Sequence, residues 1–158
     1  MFDKLLAGKC FNAILMILVS FLLSSCSGPR AISDEDLLIE QKRTPCYGSC
    51  RVYTVKIDKN GKGLFEGVEN VEKIGRFSFS LSQDELMEFE NAFHQVDFYQ
   101  LKNIYDGQVS DLPTTHITYN KDGRRKHIMD YYGAPEELRA LENSIETLVL
   151  SKKMKKIR

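Results

Sequence analysis

The chain has no surplus of charge. Its 158 residues carry 22 Lys and Arg against 22 Asp and Glu. A surface built wholly for nucleic acid needs a basic excess, so nucleic acid is excluded as a partner of that kind. Cysteine is also scarce, with four in the whole chain, too few for a scaffold held together mainly by disulfides. Apolar runs are short: Phe11–Leu23 spans 13 residues, against the roughly 20 an α-helix needs to cross hydrocarbon. The sequence lacks a Gly-x-Ser-x-Gly elbow, a P-loop, a His-Glu-x-x-His pair and a dinucleotide fingerprint. No enzyme class announces itself, and neither an internal repeat nor a low-complexity tract organises the chain. What is present, 42% hydrophobic and 28% charged residues, describes a folded chain, and the length fits one domain.

The first 25 residues read as an address. Lys4 and Lys9 precede the apolar run, and small residues follow it, the pattern of a secretory signal peptide. Leu23-Ser24-Ser25-Cys26 resembles the bacterial lipobox. The resemblance implies cleavage before Cys26 and acylation of its thiol, palmitate among the chains. Two or three acyl chains hold a protein stably on a lipid bilayer, since each buried CH₂ contributes about 0.8 kcal/mol. Ser27 after Cys26, in place of Asp, favours the outer membrane of the cell envelope by the same analogy. The expected organisation is a signal peptide over residues 1–25, a lipidated tether over 26–36, one globular domain over 37–150 and a basic tail over 151–158. The basic runs Gly123–His127 and Lys152–Arg158 read as solvated ends.

Within the domain, Leu37–Glu40 reads as a first strand. Arg51–Asp58 alternates apolar and polar residues as a second. Asn60-Gly61 predicts a type I′ hairpin turn into Lys62–Val68, and Arg76–Leu81 gives a fourth strand. Ser82-Gln83-Asp84-Glu85 is a capping box opening a helix that carries Leu86, Phe89 and Phe93 on one face and ends near Val96. Tyr105–Pro113 reads as a loop. Thr115–Tyr119 and Lys126–Asp130 form a second hairpin around Asp122-Gly123. Pro135 is placed in the first turn of a last helix, with Leu138, Leu141, Ile145 and Leu148 at helical spacing. The order ββββ-α-ββ-α predicts an α+β fold: a mostly antiparallel sheet of about six strands with two amphipathic helices on one face.

Cys46-Tyr47-Gly48-Ser49-Cys50 is the most informative local feature. With Cys10 in the signal and Cys26 lipidated, these two cysteines remain. In an oxidising envelope a close even pair reads as a disulfide, with free thiols and redox or metal work as alternatives. The spacing is not Cys-x-x-Cys, and a strand follows rather than the helix that lowers a thiol pKa. The histidines are His94, His116 and His127. The last two lie in the arms of one hairpin, but the spacing does not demand a metal site, and neither metal nor cofactor is expected. Asp111, Thr114, Asp130, Tyr131 and Tyr132 gather polar and aromatic groups on loops and are the candidate ligand-binding residues.

Thr44–Tyr53, Asn60-Gly61, Phe65-Glu66-Gly67, Gly75, Asp111-Leu112-Pro113 and Tyr132–Leu138 together resemble the domain-of-unknown-function family numbered 6438, common in bacterial envelope lipoproteins. The resemblance covers roughly Leu37–Leu150. Its most specific part is Cys-aromatic-Gly-x-Cys-x-x-Tyr. The family often has Pro after the second Cys, where this chain has Arg51. The resemblance implies membership without a mechanism. The expected function is a membrane-anchored envelope lipoprotein that binds or supports an envelope protein or ligand without catalysis. The alternatives are a thiol-based enzyme or redox protein using Cys46 and Cys50, and an inhibitor of an envelope-directed hydrolase.

Overall fold

Alternating side chains on six long strands build one sheet, and two short edge pairings extend it to eight. The structure, a computed structural model, describes residues 31–157; the expected signal peptide and Cys26 lie outside them. The strands are β1 (Leu37–Arg43), β2 (Val52–Asp58), β3 (Lys62–Glu69), β4 (Gly75–Ser80), β5 (Ile104–Tyr105), β6 (Thr115–Lys121), β7 (Arg124–Asp130) and β8 (Lys155–Lys156). The helices are α1 (Gln83–Gln95) and α2 (Glu136–Ser151), with a 3-10 turn at Phe98–Gln100. The sheet order is β5-β7-β6-β1-β2-β3-β4-β8. All pairs are antiparallel except β5 with β7. The α+β class is as the sequence predicts.

Both helices cover the same face. Ile39 and Gln41 of β1, Tyr53, Val55 and Ile57 of β2, Phe65 of β3, Phe79 of β4, Ile117 and Tyr119 of β6 and Ile128 of β7 are buried there. They meet Leu86, Phe89 and Phe93 of α1 and Leu138, Leu141, Ile145 and Val149 of α2. Phe93 stacks on Tyr119 with centroids 4.0 Å apart, and Phe98 sits edge-on to Phe93 at 4.9 Å. The expected capping box forms: Ser82 Oγ accepts from Glu85 N–H at 3.2 Å, and Glu85 Oε2 accepts from Ser82 N–H at 2.9 Å. Gly63 admits the Phe79 ring, which comes within 2.1 Å of where a Cβ would stand.

Three local expectations change. The Asn60-Gly61 turn is not type I′, because only Gly61 has positive φ (78°). Gly61 N–H donates to Asp58 O, and the Asp58 carboxylate accepts from the N–H groups of Asn60 and Lys62, which fixes a three-residue loop. The Asp122-Gly123 turn does carry positive φ at both residues. Pro135 is the N-cap of α2 and not a first-turn residue. Val149, rather than Leu148, completes the inner face of α2.

The edges depart from the expected six strands. β5 adds beside β7, and β8 pairs Phe77 with Lys156 and Ser78 with Lys155. Lys155 and Lys156, expected in a solvated tail, thus cover the backbone edge of β4, with Lys152 paired to Glu85. At the other terminus the last residues of the expected tether, 33–36, are tied to the domain. Leu37 N–H donates to Ser33 O at 3.0 Å, Lys59 N–H to Asp36 O at 3.0 Å, and Arg125 pairs with Asp34 at 3.3 Å.

Candidate functional site

Antiparallel order sends four connections to one end of the sheet. They are the loop from β1 to β2, the β3–β4 turn, the segment entering β6 and the one leaving β7. The Cys46–Cys50 pair lies in the first, its sulfurs at disulfide distance and its Cα atoms 5.8 Å apart. Thr44 fastens this loop to the next one: Thr44 N–H donates to Thr114 O at 3.0 Å, and Thr114 N–H donates to Thr44 Oγ1 at 2.9 Å.

All the sequence-predicted ligand residues fall at this end, in three different settings. Asp111 is exposed, with φ of 70°, and accepts from Ser110 Oγ. Thr114 is half-buried and is used in the bond to Thr44. Tyr131 is half-buried, and its hydroxyl donates to Val109 O at 3.0 Å. Tyr132 is 51% exposed and lies across Gly107. Asp130 points instead under α2 and is buried. The exposed apolar side chains concentrate here too: Tyr47 (90% exposed) on the cysteine loop, Ile74 before β4, and Leu112 and Tyr132 on the other two loops.

Beneath the loops lies a charged cluster that the sequence reading did not anticipate. Glu146 of α2 is buried and receives Arg43 at 3.0 Å, the Tyr53 hydroxyl at 3.0 Å, and Arg51. These donors outweigh the burial that opposes ionisation and hold its carboxyl below the usual range. Gln41, also buried, donates to Tyr53 Oη at 2.8 Å and to Glu142 O at 3.1 Å. Glu142 is in the opposite state. Burial first and the nearby Asp130 second push its carboxyl up to about 8, although Arg43, Thr115 and Arg139 pull the other way. Asp130 is raised as well, chiefly by burial. A hollow of about 360 Å³ opens beside the cluster, lined by Arg43, Cys50, Arg51 and Glu146 among others. A sequence signal existed: Glu142 and Glu146 stand one and two turns after Leu138, inside the apolar arc of α2.

Neither described helix lies on the opposite face of the sheet. His116 and His127 do approach there, with Nδ1 of His116 3.3 Å from Nε2 of His127. His94 is apart, exposed in the last turn of α1. Among the described residues no group of three or more His, Cys, Asp or Glu is gathered to hold a metal. None of the described helices is long and apolar enough to cross a membrane.

An eight-stranded sheet with two helices on one face and a cysteine-paired loop at one end defines a single-sheet α+β domain. The profile of the domain of unknown function DUF6438 matches residues 37–149, and the chain belongs to that family. No curated protein matches the chain.

Proposed function

We propose that this protein is a lipid-anchored lipoprotein of the bacterial envelope that works without catalysis, by binding a partner through the loop end of its sheet. The observation that carries the reading is the division of groups at that end. Arg43, Arg51 and Tyr53 are spent on Glu146, the two cysteines on each other, and Thr114 on Thr44. The groups left facing solvent include four apolar or aromatic side chains, Tyr47, Ile74, Leu112 and Tyr132, beside the exposed Asp111. Such side chains supply contact area and anchor binding surfaces, whereas reaction chemistry needs a free nucleophile or acid–base group. The anchor is Cys26, and the outer membrane is the proposed location.

A photo-crosslinking residue at position 47 or 132 tests the reading in intact cells. The reading expects a discrete adduct from both positions and none from position 87, since Met87 is similarly exposed (54%) but lies on α1. No adduct from either loop position, or equal capture at 87, contradicts it. Palmitate labelling of the wild type but not of Cys26→Ser tests the anchor. One observation favours the thiol-based alternative: Cys50 lines the hollow that holds Arg51, and a cation beside a cysteine favours its thiolate. Retention of both thiols in reduced form in the envelope would turn the assignment toward it.

A further inference from the structure

On the open face, β6 and β7 bring together three side chains with donor atoms suited to a soft metal ion. His116 stands opposite Met129 in the register, and His127 lies two residues before Met129 on the same face. All three line one hollow of about 910 Å³. The two imidazole rings lie within 20° of parallel, with Nδ1 of His116 3.3 Å from Nε2 of His127. Two nitrogens bound to one metal at about 2.0 Å stand roughly 3.3–3.5 Å apart in tetrahedral or trigonal geometry, so the pair needs little movement to share an ion. The far nitrogen of His127, Nδ1, lies 3.0 Å from the hydroxyl of Thr118, itself buried. A hydrogen bond at the second ring nitrogen fixes the tautomer and aims the first, as in established histidine metal sites.

We propose that His116, His127 and Met129 form a binding site for Cu(I), with His116 Nδ1, His127 Nε2 and the Met129 thioether as ligands and Thr118 as the group that orients His127. The ligand set favours copper, because a thioether is a soft ligand and imidazole suits copper well. The surrounding charge favours a monovalent ion. Lys42 stands opposite His116 on β1, Arg124, Arg125 and Lys126 line the same hollow as the three ligands, and Arg125 also lines the adjoining one with Glu40. Glu40 is paired with Lys56 at 3.3 Å and Arg125 with Asp34 at 3.3 Å. A divalent cation would meet more repulsion from Lys42 than Cu(I) does. No electron transfer is involved; the site takes up the ion already reduced.

The test is transfer of Cu(I) from a chromogenic chelator, kept reduced with ascorbate, to the full chain. The His116→Ala/His127→Ala/Met129→Leu variant runs in parallel to report any copper taken by cysteines. Expected is one additional Cu(I) per wild-type chain over the triple variant. Each single His→Ala change should weaken that increment tenfold or more, and Thr118→Val by about tenfold through loss of the orienting contact. Unfolding curves of the variants that match the wild type establish that the fold is kept, and His116→Ala, at a half-buried position, serves if Thr118→Val unfolds. Equal uptake by wild type and triple variant, or no transfer to either, overturns the site.

Discussion

Glu142 and His127 belong to opposite sides of the same sheet, and their surroundings differ in kind. Under α2, Glu142 lies among Asp130, Arg139, Arg43 and Thr115, and burial keeps its carboxyl protonated up to a pKa of about 8. Its neighbour Glu146, one turn on, stays ionised because Arg43, Arg51 and Tyr53 all donate to it. On the open face His127 is exposed, and among the described residues its ring nitrogens meet Thr118 and His116. On the covered side most polar groups pair with one another around Glu146, although Gln41 Oε1, Arg43 Nε and Glu142 Oε1 find no partner among the described residues, and removing one member strands others. The open side leaves lone pairs that solvent or a ligand can reach. The first arrangement makes a structure; the second leaves capacity for binding.

The largest break in this comparison is expected in the aromatic core. Phe93→Ala removes a buried ring stacked on Tyr119 and should cost about 3–5 kcal/mol in urea unfolding. The next concerns pH. Glu142 has a folded pKa of about 8 against an ordinary 4.5. Between those values the native state holds a proton that the unfolded chain has released, so stability falls as pH rises through that window. Asp130 is also raised and acts in the same sense. Glu146 is lowered, so its contribution is complete above the ordinary carboxylate range. His116 is lowered from 6.5 and acts oppositely, but only below that value. Melting temperatures measured from pH 6.5 upward should therefore fall with pH in the wild type, and Glu142→Gln should flatten the slope.

A smaller effect is expected where the loop end is stapled. Cys46→Ser/Cys50→Ser opens a short loop, and urea unfolding should show a loss near 2 kcal/mol, about the low end for a disulfide, with the fold retained. The smallest change belongs to the open face. His116→Ala should shift unfolding by less than about 0.5 kcal/mol in metal-free buffer. A large loss there would mean that the imidazole pair supports the sheet, and the contrast between the faces would collapse.

The covered face was the more legible in sequence. Period-two alternation in Arg51–Asp58 and three-four spacing of Leu86, Phe89 and Phe93 report burial directly, and the capping box marks where α1 begins. The two-residue strands β5 and β8 carry too few residues for any period to show, and their pairing depends on which backbone edge the rest of the fold leaves open. Asn60-Gly61 signalled a turn but not its type, because the Asp58 carboxylate captures two N–H groups and shifts the αL position to Gly61 alone. At the loop end, the sequence named Thr114, Tyr131 and Tyr132 but could not tell a fastened group from a free one. It missed the Glu146 cluster because its donors come from positions 43, 51 and 53, which lie 103, 95 and 93 residues away. The His116–His127 approach was foreseeable from the hairpin; the placing of Met129 beside them needed the register.

The most direct test of the account is the intact mass of the chain isolated from the envelope without reductant. The account predicts a chain that begins at Cys26, is heavier by its acyl groups and is lighter by two hydrogen atoms for the Cys46–Cys50 bond. A mass that retains residues 1–25, or one with both thiols reduced, would contradict it.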